Sequence, residues 1–199
     1  MNIFYLDRDP KKAARMHCDK HIPRMATEAA MLLSIAHRRR GYRGNEIYRE
    51  SKTISKSLGP LVWIMESRSN YRWTVTMALE LCAEHVRRGR AKGVTKPAPW
   101  KCLPVLRWLR DHEPDFNAPT AMIPATEREH KDFYAGKEKD PVKIYRRYYI
   151  LDKHMFAKWP EGKIPKWYKE GLAKMSPRAL ARADRYHKAR RKPKSKPQP

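Results

Sequence analysis

The sequence predicts a mainly α protein: a single helical domain over residues 1–181 with a short N-terminal strand, followed by a disordered, basic, proline-containing C-terminal tail over 182–199. Three observations predict it. Long stretches carry apolar residues at helical spacing, separated by Gly and Pro breakers. The 199 residues at 41% hydrophobic content suffice for one core. The last eighteen positions hold eight Lys/Arg against one acid and no core-forming pattern.

The elements follow in chain order. Asn2-Ile3-Phe4-Tyr5-Leu6 is a short apolar run suited to one strand or an extended lead-in. Asp9 before Pro10 is an N-cap followed by proline at the first helical position, and a helix is expected from Pro10 to Arg39. At 100° per residue, Cys18, Ile22, Met25, Ala29, Leu32, Leu33 and Ala36 fall within an arc of about 100°, the width of a buried stripe. His17, His21, Arg24 and Glu28 line its flank. Pro23 lacks a backbone donor and presses on the carbonyl of Asp19, so a bend or break is expected beside HCDKH, with the two halves as separate helices. Residues 38–57 read as a basic loop or flap, and Gly59-Pro60 opens a second helical segment from Leu61 to Arg88. A linker over 87–99, a helix near Lys101–His112 and a proline-bearing loop containing PTAMIP (119–124) come next. Pro141 then opens a helix dense in Tyr, Arg and Lys.

Charge narrows the function. With 45 Lys+Arg against 21 Asp+Glu the chain carries +24, and removing the tail leaves roughly +17, so the body itself is basic. Such an excess repels itself unless an anionic partner screens it, which makes nucleic acid the leading partner class. No apolar run of about 18 residues, no broad-faced basic amphipathic helix and no signal-peptide pattern is found, so a protein without membrane attachment or secretory leader is expected. Cys18, Cys82 and Cys102 follow no CxxC spacing and are expected to be reduced and mostly buried. P-loop, GxGxxG and GxSxG motifs are lacking, which removes the sequence support for nucleoside-triphosphate hydrolysis, dinucleotide redox chemistry and hydrolase-type acyl transfer.

Three stretches carry chemistry. In HCDKH (17–21) the histidines stand at i and i+4 and admit three readings. They share a metal ion completed by Asp7 or Asp9. Alternatively His17 or His21, oriented by Asp19 or Asp7, moves a proton while Lys20 and Arg24 hold an anion. The third reading is a solvated polar turn. In SRSNYRW (67–73), Asn70 can read a base edge and Tyr71 and Trp73 can stack on an unpaired base, or the aromatics belong to the core. In YRRYYILDKH (145–154), Arg146, Arg147 and Lys153 suit phosphates and Tyr148 or Tyr149 a base or sugar, or the helix is simply amphipathic.

The combination of DxDP, HCDKH, SxxNYxW, a PTAMIP-like loop and YRRYY, over residues 1–170, resembles the bacteriophage amino acid:DNA transferases of thymidine hypermodification. Pro23 departs from the aliphatic residue expected after HCDKH. The resemblance implies displacement of pyrophosphate from a 5-pyrophosphoryloxymethyl-uracil base in phage DNA by the amino group of an amino acid such as glycine. It implies double-stranded DNA with a modified pyrimidine and a free amino acid as partners, in the cytoplasm of an infected bacterial host, and a monomeric enzyme. Under that reading His17, Asp19, Lys20, His21, Asp7 and Asp9 are catalytic, with Mg as an optional divalent ion for the pyrophosphate. Arg24, Asn70, Tyr71, Trp73, Arg146, Arg147, Tyr149 and Lys153 bind substrate or DNA, around a base taken out of the stack. Two alternatives belong to other classes: a DNA glycosylase or lyase with Lys20 as amine nucleophile, and a noncatalytic DNA-binding protein acting by charge alone.

Overall fold

Apolar side chains along the chain collect on one side of each helical stretch, and burying those sides against one another gives two layers of helices. The computed structural model describes residues 2–51, 54–55, 57–95, 98, 100–116 and 137–191. These contain eight helices: α1 (Pro10–Met16), α2 (His21–Arg39), α3 (Gly59–Glu66), α4 (Arg68–Ala91), α5 (Leu103–Asp111), α6 (Pro141–Lys153), α7 (Lys166–Ala173) and α8 (Pro177–Arg191). PTAMIP lies outside the described residues.

The first layer is built on α2 and α4, which pack along each other; α1 and α5 lie on α4, and α3 closes against both. All seven residues of the expected stripe are buried, and Ala26, Ala30, Ser34, Ile35 and His37 are buried as well, so α2 is enclosed on most sides. Gly41, at φ 94°, ends α2 in the left-handed conformation that costs glycine least. The second layer is α6 with α7 and α8.

Four sequence expectations are corrected. No strand occurs among the described residues. Asn2–Leu6 is instead an irregular lead-in between the layers, with Ile3, Phe4, Tyr5 and Leu6 at most 3% exposed. Its apolar run has the composition of a strand but no strand lies beside it. Its donors pair locally or with side chains instead: Asn2 N–H to Glu28 Oε2 (2.9 Å), Ile3 N–H to Asn2 Oδ1 (2.7 Å) and Leu6 N–H to Phe4 O (2.9 Å).

The first long helix breaks at residues 17–20, inside HCDKH, rather than at Pro23. Pro23 falls in the first turn of α2, where helix N–H groups have no intrahelical acceptor and a missing donor costs little. The second long helix also breaks, at Ser67, whose hydroxyl accepts from Asn70 N–H (3.0 Å) and caps α4. Finally, the tail expected to be disordered from 182 is helical as far as Arg191, as the end of α8. Its inner face seats Ala183 (3% exposed) against the core.

The cysteines are buried thiols, as the sequence suggests, with Cys82 and Cys102 Sγ atoms 3.9 Å apart. No helix among the described residues is long and apolar enough to cross a membrane.

Candidate active site

HCDKH is the corner between α1 and α2, and the break turns its side chains in different directions. His17 is fully buried; its Nδ1 lies 2.8 Å from Ala13 O, and because a carbonyl only accepts, Nδ1 carries the proton. Nε2 of His17 is then a bare acceptor, buried without a partner. Burial lowers the His17 pKa to about 4, with the distant field of Arg88 acting in the same direction, so the ring is neutral at physiological pH.

His21 sits in an aromatic cup. Phe4 stacks on it at 5.1 Å, while Tyr149 at 5.2 Å and Phe156 at 5.4 Å approach edge-on. Its Nδ1 is also buried without a partner, and the two imidazole centroids are 6.4 Å apart. Burial pushes its pKa down to about 2, helped by His17 and by the cations Lys153, Arg24 and Lys20. Two orphaned ring nitrogens in one corner are unusual, because buried polar groups nearly always find partners and the exceptions concentrate where strain or chemistry needs them.

Lys20, exposed, lies 4.8 Å over Phe156, and Lys153 lies 5.5 Å over Phe4 while bonded to the carboxylate of Asp152. Arg24 is exposed and pairs with Glu28, which also receives Asn2 N–H. The His21 cup is therefore rimmed by three cations. Tyr149 supports its floor: the hydroxyl accepts from Cys18 N–H at 2.8 Å, which pins the corner to α6.

A second cluster lies further along α6. Arg146 donates to Leu6 O (2.8 Å), pairs with Asp7 (3.2 Å) and lies 5.3 Å over Trp167. Arg146 and Lys153 are seven residues apart on one helix face, about 10 Å by helix rise. Arg147 is exposed between them in sequence.

Other expected site residues have structural duties. Asp19 turns away from both imidazoles toward α4. Burial would raise its pKa, but hydrogen bonds from Lys92 (2.9 Å) and Arg88 (2.8 Å) hold it below the usual carboxylate range. It is thus not the carboxylate that orients a histidine. Asp9 caps α1 by accepting from Lys11 and Lys12 N–H, and Asp7 accepts from Asp9 N–H. Among the described residues no three His, Cys, Asp or Glu side chains group so as to hold a metal ion.

Asn70, Tyr71 and Trp73 are all buried, and their polar atoms bond the scaffold. Asn70 Nδ2 donates to Trp63 O, Tyr71 O–H to Leu109 O, and Trp73 Nε1 to Arg8 O, each at 2.8 Å. They tie α4 to α3, α5 and the N-terminal segment. Two further residues serve the frame: Trp159 Nε1 donates to Met16 O (3.0 Å), and His154 Nε2 lies 3.4 Å from Asp184 of α8.

Sequence reasoning missed Phe4, Phe156 and Asp152. The first two come from distant segments and leave no local signal. Asp152 was legible: with Tyr145, Tyr148 and Tyr149 it follows i, i+3, i+4, i+7, which puts a carboxylate on the buried face of a basic helix. No family model, no curated protein and no solved structure matches the chain.

Proposed function

We propose that the protein is a DNA base-modifying transferase. It replaces the pyrophosphate of a 5-pyrophosphoryloxymethyl-uracil base in phage DNA with the amino group of an amino acid such as glycine. The observation that carries the reading is the neutral, half-unpartnered pair His17–His21 behind a rim of cations. This reading joins that corner to the motif resemblance of the sequence.

The reaction needs three services. The pyrophosphate leaves with the electron pair of the C–O bond, and Lys20, Lys153 and Arg24 supply positive charge where that negative charge develops. The amino acid's ammonium loses one proton before attack and another after the new C–N bond forms, and His21 is the acceptor, with His17 Nε2 beside it. The target base leaves the duplex stack, while Arg146 and Arg147 of α6 hold flanking phosphates.

Electrostatics couples the first service to the second. With no anion bound, burial and cations keep His21 a very weak base. A pyrophosphate arriving at the rim opposes those cations and favours imidazolium, so base strength rises when the leaving group is in place.

The test is incubation of the protein with pyrophosphorylated DNA and amino acid, followed by digestion to nucleosides and mass spectrometry. An aminoacyl-linked thymidine is expected, with His21→Ala slowing its formation by about 100-fold or more. Release of a free base would favour the glycosylase alternative, and an unchanged nucleoside pool would favour the charge-only binding protein.

A further inference from the structure

The opposite end of α2 carries a different site. From His21 to His37 the helix rises about 24 Å, too far for one base to reach both. There a cleft of about 620 Å³ is lined by His37, Arg40, Tyr42, Trp108 and His112, among others. That volume lies within the range of small-molecule sites, roughly 300–1,000 Å³. Its aromatic groups form one assembly: Tyr42 and Trp108 are 4.8 Å apart, and Trp108 and His112 stack at 4.3 Å with rings 7° from parallel.

Arg40 lines the cleft, with Arg38 and Arg43 near it in the chain; the carboxylate of Asp115 lines it too, and Glu46 accepts from Tyr42 O–H. Arg38, Arg40 and Arg43 donate to backbone carbonyls, Arg38 to those of Tyr42, Ile47 and Tyr48, and none of the three takes part in an ion pair among the described residues. Arg40 also keeps Nη1 buried with no partner. Capping the carbonyl end of α2 does not account for them, because a helix C-terminus carries only about −0.5 charge. With the carboxylates of Asp115 and Glu46 counted as well, roughly half a positive charge is left over. Glu113, by contrast, is already matched by Arg72.

The geometry points to a nucleotide-binding site: the aromatic assembly takes the flat face of an unpaired base, and the Arg38–Arg40–Arg43 cluster takes its phosphate. π-Faces beside arginine side chains are the combination that binds unstacked bases with little sequence preference. The source is either a single-stranded stretch of nucleic acid or a free nucleotide. The site is separate from the His21 cup, and its success or failure leaves the transferase reading untouched.

Tryptophan fluorescence and anisotropy titrations of the full chain with a short oligothymidylate, with thymidine monophosphate and with a duplex test it. Trp108→Leu and His112→Ala are the variants, thermal melting being followed in parallel; His112 is exposed, so its loss spares the fold. Oligothymidylate affinity is expected to fall about 10-fold in each variant, the size of one lost base stack. Monophosphate binding that the variants also weaken identifies a free nucleotide as the source, and its absence identifies the polymer. Wild-type oligothymidylate affinity in a folded His112→Ala overturns the site, as does equal loss of duplex binding, which points to phosphate contacts alone.

Discussion

Three buried histidines set how the protein responds to acid. His17 and His37 have pKa values pushed down to about 4, and His21 to about 2, in each case chiefly by burial. The unfolded chain takes up a proton at each near pH 6.5, while the folded chain does not until well below. Stability is therefore full above pH 6.5 and is lost as pH falls toward 4. Each group contributes about 1.4 kcal/mol per pH unit, or about 4 kcal/mol per unit for the three together. Urea titrations at about pH 7, 6 and 5 check this, and His17→Gln is expected to remove about a third of the slope; a flat profile would mean these rings are not buried as neutral bases. Tyr149 makes a second expectation at this scale. Its hydroxyl is the acceptor for buried Cys18 N–H, so Tyr149→Phe leaves that donor unpaired and costs about 1–3 kcal/mol in urea denaturation.

At the scale of elements, the helix breaks decide where chemistry is exposed. Pro23 in the first turn of α2 predicts that Pro23→Ala changes stability by less than about 1 kcal/mol, since no missing bond is restored and only unfolded-chain entropy is altered. In an unbroken helix the same substitution would gain about 3 kcal/mol, so urea denaturation of this one variant distinguishes the two arrangements. Ser67→Ala removes the cap of α4 from a buried corner and is expected to cost about 1 kcal/mol. These breaks also mark what was legible in sequence. Asp9-Pro10 and Asp140-Pro141 announce helix starts, because cap and proline lie side by side, and both caps are found in place. The stripe of α2 was legible because burial follows the helical period. The place of the break, residues 17–20, was not: it is fixed by Tyr149 and Lys158, more than a hundred residues away, which bond the amides of Cys18 and Asp19. For the same reason Asn70 reads in sequence as a base-recognising residue, whereas it holds the carbonyl of Trp63. The cationic α6 was legible as composition, but the cup of Phe4, Tyr149 and Phe156 around His21 needs three distant segments brought together.

On the scale of the whole molecule, +24 charges govern two equilibria with opposite signs. Within the folded chain, local pairs such as Arg15–Glu80, Arg87–Glu84 and Arg88–Asp19 neutralise part of one face, yet acids are too few to match the cations elsewhere. Like charges held in a compact body repel, and salt screens that repulsion over a Debye length of about 10 Å at 0.1 M. Added sodium chloride is therefore expected to raise the melting temperature. The same salt weakens any complex with DNA, because each phosphate contact releases a condensed counterion: six to ten contacts lose about 10³–10⁵ in affinity between 50 and 200 mM. Melting and DNA anisotropy measured across one salt series should move in opposite directions. A melting temperature that falls with salt would mean that attractive ion pairs, not self-repulsion, dominate the folded charge distribution. A DNA affinity indifferent to salt would remove the phosphate contacts assigned to α6 and to the end of α2 alike.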